Sequence, residues 1–341
     1  MHSQQLTNTQ KLMTDMQQLI THRHASIILV LLSLAISIKL FFSSTSIPWS
    51  FTRDSAEWYV NFSKEIFHPG YFLKGAYFTE SMLMPAIANA FGAARSFEAY
   101  KIFCSLMTIS ILPLWTMAYA RRTSNPLKTF LFIVLAATCF HYFYDYVLGF
   151  PDPLTILILG LIALQQNNRT LVFLIVLACL SHFFLALISI LSLMLLVACS
   201  PHLSKDKKVQ FIKYSIVGIF LGKLLLMTWL WAFDYHPLSR LQWAIDSGIT
   251  VFIQNYTRLG MDFWLTPGIY FLLFYLAACS TFFFKRYFLF SLAALFSLTI
   301  SYCALFFTVD GYRILAVAIT APYIYITIEF IECLFNRNQR V

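Results

Sequence analysis

Long apolar runs separated by short polar breaks extend along the chain almost from end to end. Such runs predict helices covered by lipid or by one another, not the one-sided striping of a helix that faces water. The expected transmembrane segments are Ile27–Phe42, Ala99–Tyr119, Thr129–Val147, Pro153–Leu164, Leu171–Ser181, Phe183–Cys199, Phe211–Ala232, Pro267–Phe284, Phe288–Phe307 and Ile314–Leu334. A bilayer core asks for about 20 helical residues per crossing. Pro153–Leu164 and Leu171–Ser181 are shorter than that. Either they form a pair of short helices, or the first is re-entrant and residues 171–199 make one long helix. Ser81–Ala93 is apolar too, but Pro85, Asn89 and Gly92 favour an interfacial or half-buried helix. The expected fold is all-α. It is a polytopic transmembrane helix bundle of about eight to ten crossings, with short interfacial helices in the first outer loop. Residues 1–26 and 335–341 read as tails, and 27–334 as a single transmembrane domain with outer loops near 43–98 and 233–266.

Composition sharpens this picture. The 341 residues are 59% hydrophobic and 11% charged, with a mean hydropathy of +0.71. A soluble domain carries about 25% charged residues, so this chain lacks the polar surface to be one. Charge then orients the bundle. With the N-terminus inside, the inner segments hold 14 basic and four acidic residues, and the outer segments eight basic and 11 acidic. Lysine and arginine collect on the cytoplasmic side, so both termini are expected there. The net charge of +9 is thus a topology signal with membrane lipids as partners, and no nucleic-acid partner is expected. The first apolar run follows Arg23 and lacks a convincing small-residue cleavage site, so it reads as a signal anchor. The seven cysteines lie mostly inside apolar runs without CxxC spacing and read as packing residues.

The candidate chemistry lies where charge borders the apolar spans. Asp54 and Glu57 sit one helical turn apart just after the first span, on the predicted outer side, with Asn61 a further turn on. Capping of a local helix is an equal alternative for Asp54. Asp152 precedes Pro153 at a helix start and reads first as an N-cap, second as a ligand contact. His182 interrupts two apolar runs in Leu180-Ser-His-Phe-Phe184, as a helix-break residue or a site residue. Asp310 and Arg313 are three apart at the start of the last span, suited to a self-contained ion pair or to holding a lipid phosphate. Lys223 lies midway along an apolar run and should face the bundle interior or a wet cavity. No glycine-rich phosphate loop or large cytoplasmic domain marks a nucleotide-sugar site. Neither cofactor nor metal is called for, and a divalent ion stays compatible with the carboxylates.

Taken together, Arg53-Asp-Ser-Ala-Glu57 with Tyr59, Met84-Pro-Ala-Ile, Gly149-Phe-Pro-Asp152, His182 and Asp310-Gly-Tyr-Arg313 resemble the GT-C superfamily of polytopic, lipid-linked-sugar-dependent glycosyltransferases. The resemblance spans most of the chain through short motifs. It implies an inverting transfer from a polyprenyl-phosphate sugar donor at the outer face of a bacterial inner (cytoplasmic) membrane, in cell-envelope glycan or glycolipid assembly. It also implies Asp54 as the base or acceptor-orienting residue, with Glu57 as second choice. Arg313, Asp310, His182, Asp152 and Lys223 would contact substrate. A transporter, flippase or polymerase of lipid-linked saccharides, or a non-catalytic scaffold, are the alternatives. A transporter would show matched broken helices or inverted repeats. A scaffold needs no converging carboxylates.

Overall fold

The computed structural model describes residues 24–42, 53–67, 77–123, 125–146, 152–237, 240–259, 269–307 and 311–335. Asp310 lies outside these, as do the side chains of Asp54, Asp145 and Arg313. Among the described residues the fold is all-α. Its helices are α1 (His24–Phe42), α2 (Arg53–Lys64), α3 (Leu83–Ala90), α4 (Phe97–Arg122), α5 (Pro126–Tyr146) and α6 (Asp152–Leu164). They continue as α7 (Asn168–Cys199), α8 (Lys205–Ala232), α9 (Arg240–Leu259), α10 (Ile269–Phe284), α11 (Phe288–Cys303) and α12 (Gly311–Phe335). Five have the length and apolarity to cross a membrane: α1, α4, α7, α8 and Ile314–Phe335 of α12. Pro126–Thr138, α6, Tyr270–Phe284 and α11 are apolar but shorter.

Side-chain contacts fix the direction of each helix. Lys128 reaches Glu332 at 2.7 Å, and Tyr323 donates to Leu135 O at 2.7 Å, so α5 and α12 are antiparallel. Ser189 Oγ accepts from Ala321 N, and Ser200 Oγ donates to Glu329 Oε1 at 2.8 Å, so the later part of α7 runs with α12. The earlier part runs with α8. Ile175 lies against Gly218, Cys179 against Gly222, and Asn168 Nδ2 donates to Gln210 Oε1. Since α8 starts immediately after α7 ends, the two parts of α7 must run in opposite directions. A straight helix would put Asn168 about 48 Å from Ser200. Only ten residues, part of them helical, join Ser200 to Gln210, and that stretch cannot reach so far.

The chain therefore folds back at His182, whose φ of −162° and ψ of 89° break the helix. The two arms, Asn168–Ser181 and Phe183–Cys199, are about 21 and 26 Å long at 1.5 Å per residue. Both fall short of a hydrocarbon core about 30 Å thick, so the turn sits within the apolar depth. This realises the paired-short-helix alternative and removes the single long helix over 171–199.

The hairpin is held by close packing. On α8, Gly218 and Gly222 form a small-xxx-small stripe that lets the backbones of α7 and α8 approach. A Cβ on Gly222 would lie 2.5 Å from Cys179 Cβ. Across the bundle, Gly160 of α6 receives the Trp115 indole, whose Nε1 donates to Leu157 O at 2.9 Å. Both residues are fully buried, and no side chain larger than glycine fits at 160. Phe220, Leu224 and Met227 instead point outward, as lipid-facing residues do.

These directions give the bundle two distinct ends. One carries Arg122, Lys128, Lys207 and the α10–α11 turn at Lys285 and Arg286; this is the basic end. The other carries the first-loop helices and is called the cap end. Here α2 docks on the end of α8. Phe62 meets Tyr235 edge-on at 5.8 Å, and Phe67 meets Trp229 and Phe233 at 5.7 Å. Helix α3 is tied to α2 by Asn89 Nδ2 donating to Ser63 O at 2.7 Å. The segment 233–266, expected as the second outer loop, contains α9. Ile245, Ile249 and Ile253 recur every four residues along it and are exposed, giving one apolar stripe.

Candidate functional site

Polar side chains from three separate segments meet at the hairpin tip. Asp152 opens α6, and Pro153 behind it needs no N–H partner in the first helical turn. The Asp152 residue is completely buried, and the helix dipole favours its carboxylate there. One turn on, Thr155 Oγ1 lies 2.7 Å from Ser181 Oγ. Ser181 is buried as well and immediately precedes His182, so this hydroxyl pair binds the start of α6 to the turn of the hairpin. His182 itself is half-buried.

Two further elements reach this level. Lys223 of α8 places its ammonium 4.4 Å from the centre of the Phe183 ring, next to His182. Among the described residues it forms no ion pair, and the ring face stabilises its charge. Tyr100 of α4 is fully buried and within electrostatic reach of both Asp152 and Tyr59 of α2. The chain of groups from α2 to α6 thus links the cap end to the buried carboxylate. His182 and Lys223 are both half-buried at this level, and the Thr155–Ser181 hydroxyl pair fixes the turn beside them.

The expected site residues separate into three groups. Asp152, His182 and Lys223 come from α6, α7 and α8 and gather around the hairpin tip. Glu57 is half-buried and shares a face of α2 with exposed Asn61 and Lys64, whereas Tyr59, Phe62 and Ser63 take the packed face. Asp54 lies one turn earlier in the same helix, with its side chain outside the described residues. Asp310 and the Arg313 side chain are also outside them, so their joint site with Asp54 is not part of this geometry. Thr155, Ser181 and Tyr100 belong to the site and are absent from the sequence-based candidates. A faint signal exists for Thr155, which shares a helix face with Asp152 at i and i+3.

Among the described residues no three His, Cys, Asp or Glu side chains come together as a metal site. Compared with protein families, curated proteins and solved structures, the chain matches none.

Proposed function

We propose that this helix bundle is a membrane glycosyltransferase that moves a sugar from a polyprenyl-phosphate carrier to an acceptor hydroxyl at the cap end. The observation that carries the reading is the meeting of Asp152 and His182 at the hairpin tip. These are two of the residues on which the resemblance to the GT-C superfamily rests, they lie 30 positions apart, and Thr155 and Ser181 join their segments. In this reading the cap end faces outward from a bacterial cytoplasmic membrane, with the basic end inside, in keeping with the positive-inside rule.

The chemistry follows from the groups supplied. The acceptor oxygen attacks the anomeric carbon, the bond from that carbon to the lipid phosphate oxygen breaks, and the configuration inverts. The acceptor proton passes to a carboxylate within hydrogen-bond reach. Asp54 takes that role by resemblance, with Glu57 orienting it from one turn away. Lys223 and Arg313 offset the negative charge that gathers on the departing phosphate. His182 donates to, or accepts from, sugar hydroxyls, and Asp152 holds the His182 turn in place.

The test is transfer from a defined polyprenyl-phosphate sugar in liposomes by the full chain. Transfer by the wild type that is lost in His182→Ala, with weaker donor binding and the fold retained by circular dichroism, supports the proposal. Absence of transfer from any polyprenyl-phosphate sugar tried with well-folded protein sinks it. A second reading, a flippase for the same lipid, is favoured by one observation: a helix broken within the membrane depth beside an unpaired lysine, as at transporter binding sites. Movement of labelled lipid between leaflets without sugar transfer would establish that reading instead.

A further inference from the structure

The basic end holds a cavity that the hairpin-tip site does not use. It has a volume of about 270 Å³ and lies between the α6–α7 connection, the start of α8 and α12. Its polar wall consists of Arg122, Lys207, Gln165, Gln166, Asn168, Gln210 and the buried Tyr325, and no carboxylate lines it. Among the described residues neither cation is held in an ion pair, whereas Lys128 at the same end is locked to Glu332 at 2.7 Å. These two cations with the side-chain amides beside them suit a phosphate ester that carries hydroxyls.

A second cavity of about 440 Å³ lies against the first and shares Arg122, Gln165 and Gln166 with it. Its other walls are mainly apolar, among them Leu114, Leu161, Leu164 and Leu174, with Arg121 as a further cation at this cavity. The pair is therefore amphipathic across Arg122, polar on one side and mainly aliphatic on the other. A soluble phosphate would use only the first chamber. A lipid uses both.

We infer that these joined cavities bind an anionic phospholipid, with its phosphate at Arg122 and Lys207, its headgroup hydroxyls on the amides, and an acyl chain in the leucine-lined cleft. Along α6, this site is about 20 Å from Asp152, at 1.5 Å per residue for its length. It is a second lipid site at the opposite end of the bundle, independent of the glycosyltransferase reading. The cavity rim is also where anionic lipid would collect if the basic end faces the cytoplasm.

The experiment measures lipid retention by native mass spectrometry of the full chain in an uncharged detergent, after exposure to phosphatidylglycerol or phosphatidylcholine. Phosphatidylglycerol should be retained preferentially. Arg122→Gln and Lys207→Gln should each weaken retention about fivefold, the effect of one basic residue at an anionic lipid surface. Leu161→Trp, which fills the cleft and leaves both charges, should weaken it too. Lys213→Gln, an exposed charge on α8 outside both cavities, should leave it unchanged. Should Arg122→Gln fail to fold by circular dichroism, Lys207→Gln and Leu161→Trp decide the matter. Equal retention of the two lipids, equal loss in Lys213→Gln, or full retention in Leu161→Trp would overturn the inference. So would competition by glycerol 3-phosphate as effective as that by lipid, which would assign the site to a soluble phosphate ester.

Discussion

Thr155 Oγ1 and Ser181 Oγ are 2.7 Å apart, both buried, and they join the first turn of α6 to the point where α7 reverses. Both hydroxyls are buried, so their bond satisfies polar groups held within the hydrophobic interior. Replacing Ser181 by Ala should remove that bond and cost about 0.5–1.5 kcal/mol. The Thr155→Val, Ser181→Ala double variant should lose less than the sum of the two single variants, because each of them already breaks the same bond. Unfolding midpoints of the three variants in detergent measure the difference. Additive losses would show that the pair is not coupled.

Packing around two glycines offers a sharper stability test. A Cβ on Gly160 would fall 2.0 Å from Trp115 Cε2, and the indole is fixed by its bond to Leu157 O. Gly160→Ala should destabilise the bundle by about 1–3 kcal/mol, as overpacked cores do. Gly222→Leu should separate α8 from the first arm of α7, with loss of the Lys223–Phe183 contact. Gly92→Ala is a useful comparison, because it tests backbone strain at φ 70° in a turn and not helix packing. A melting temperature unchanged in Gly160→Ala would contradict the buried Trp115 position.

Docking of α2 on α8 should respond to alkaline pH. Burial pushes the Tyr235 phenol up to about 12, and the Glu65 carboxylate adds to the shift. In the unfolded chain the same group titrates near 10. Below pH 10 both states keep the proton. Between about 10 and 12 the unfolded chain ionises first, so stability falls as pH rises. Tyr235→Phe removes this contribution and loses only a long, 3.4 Å hydrogen bond to Ile66 O. The variant should therefore lose less melting temperature than the wild type between pH 9 and 11.5. Equal alkaline losses in both proteins would place the sensitivity elsewhere.

The charge pattern predicts which end faces out. Cysteine introduced at Glu65, exposed at the cap end, should react with a membrane-impermeant maleimide in intact cells. Cysteine at Lys205, exposed where α8 starts at the basic end, should react only after the membrane is opened. The opposite result would invert the bundle and with it the side on which the proposed transfer occurs.

Much of this architecture is legible in residue order, because lipid-facing helices need continuous apolar runs. Spans from Ala99–Tyr119 to Ile314–Leu334 correspond to α4 through α8 and α10 through α12, with ends displaced by a few residues where caps such as Ser96 and Ser204 extend a helix into polar sequence. The reversal at His182 is less visible. Leu180-Ser-His-Phe-Phe184 holds no glycine or proline, and its extended φ of −162° is open to any residue. Only the contacts of each arm with α8 and α12 separate the two alternatives. Helix α9 is marked by isoleucines four apart, but in a segment short of total hydropathy, so a search for spans passes over it. At the candidate site, single residues stand out while partners do not. Asp152 and His182 are conspicuous as polar groups in apolar sequence. Thr155, Ser181 and Tyr100 are ordinary there, and become partners only when separate segments pack.

The division of labour among the carboxylates gives the most direct test of mechanism. If Asp54 accepts the acceptor proton, Asp54→Asn should lower the transfer rate by about 10²–10⁴-fold, the range for loss of a general base, while donor binding stays near its original value. Glu57→Gln should have a smaller effect, because Glu57 lies one turn away and acts on its neighbour. Asp152 differs from both: it is completely buried at the start of α6. Asp152→Asn keeps the shape of the side chain, so the fold should persist, and in the proposed role the His182 turn loosens and donor binding weakens. Arg313→Ala should raise the donor concentration needed for half-maximal rate by removing a phosphate contact. Rates and donor binding measured separately on each variant, with circular dichroism as the check on folding, resolve these roles. Full activity in Asp54→Asn together with a collapsed rate and normal donor binding in Asp152→Asn would move the base from α2 to α6. Equal loss of folding in all four would reduce the carboxylates to a structural network and remove the chemical basis of the proposed transfer.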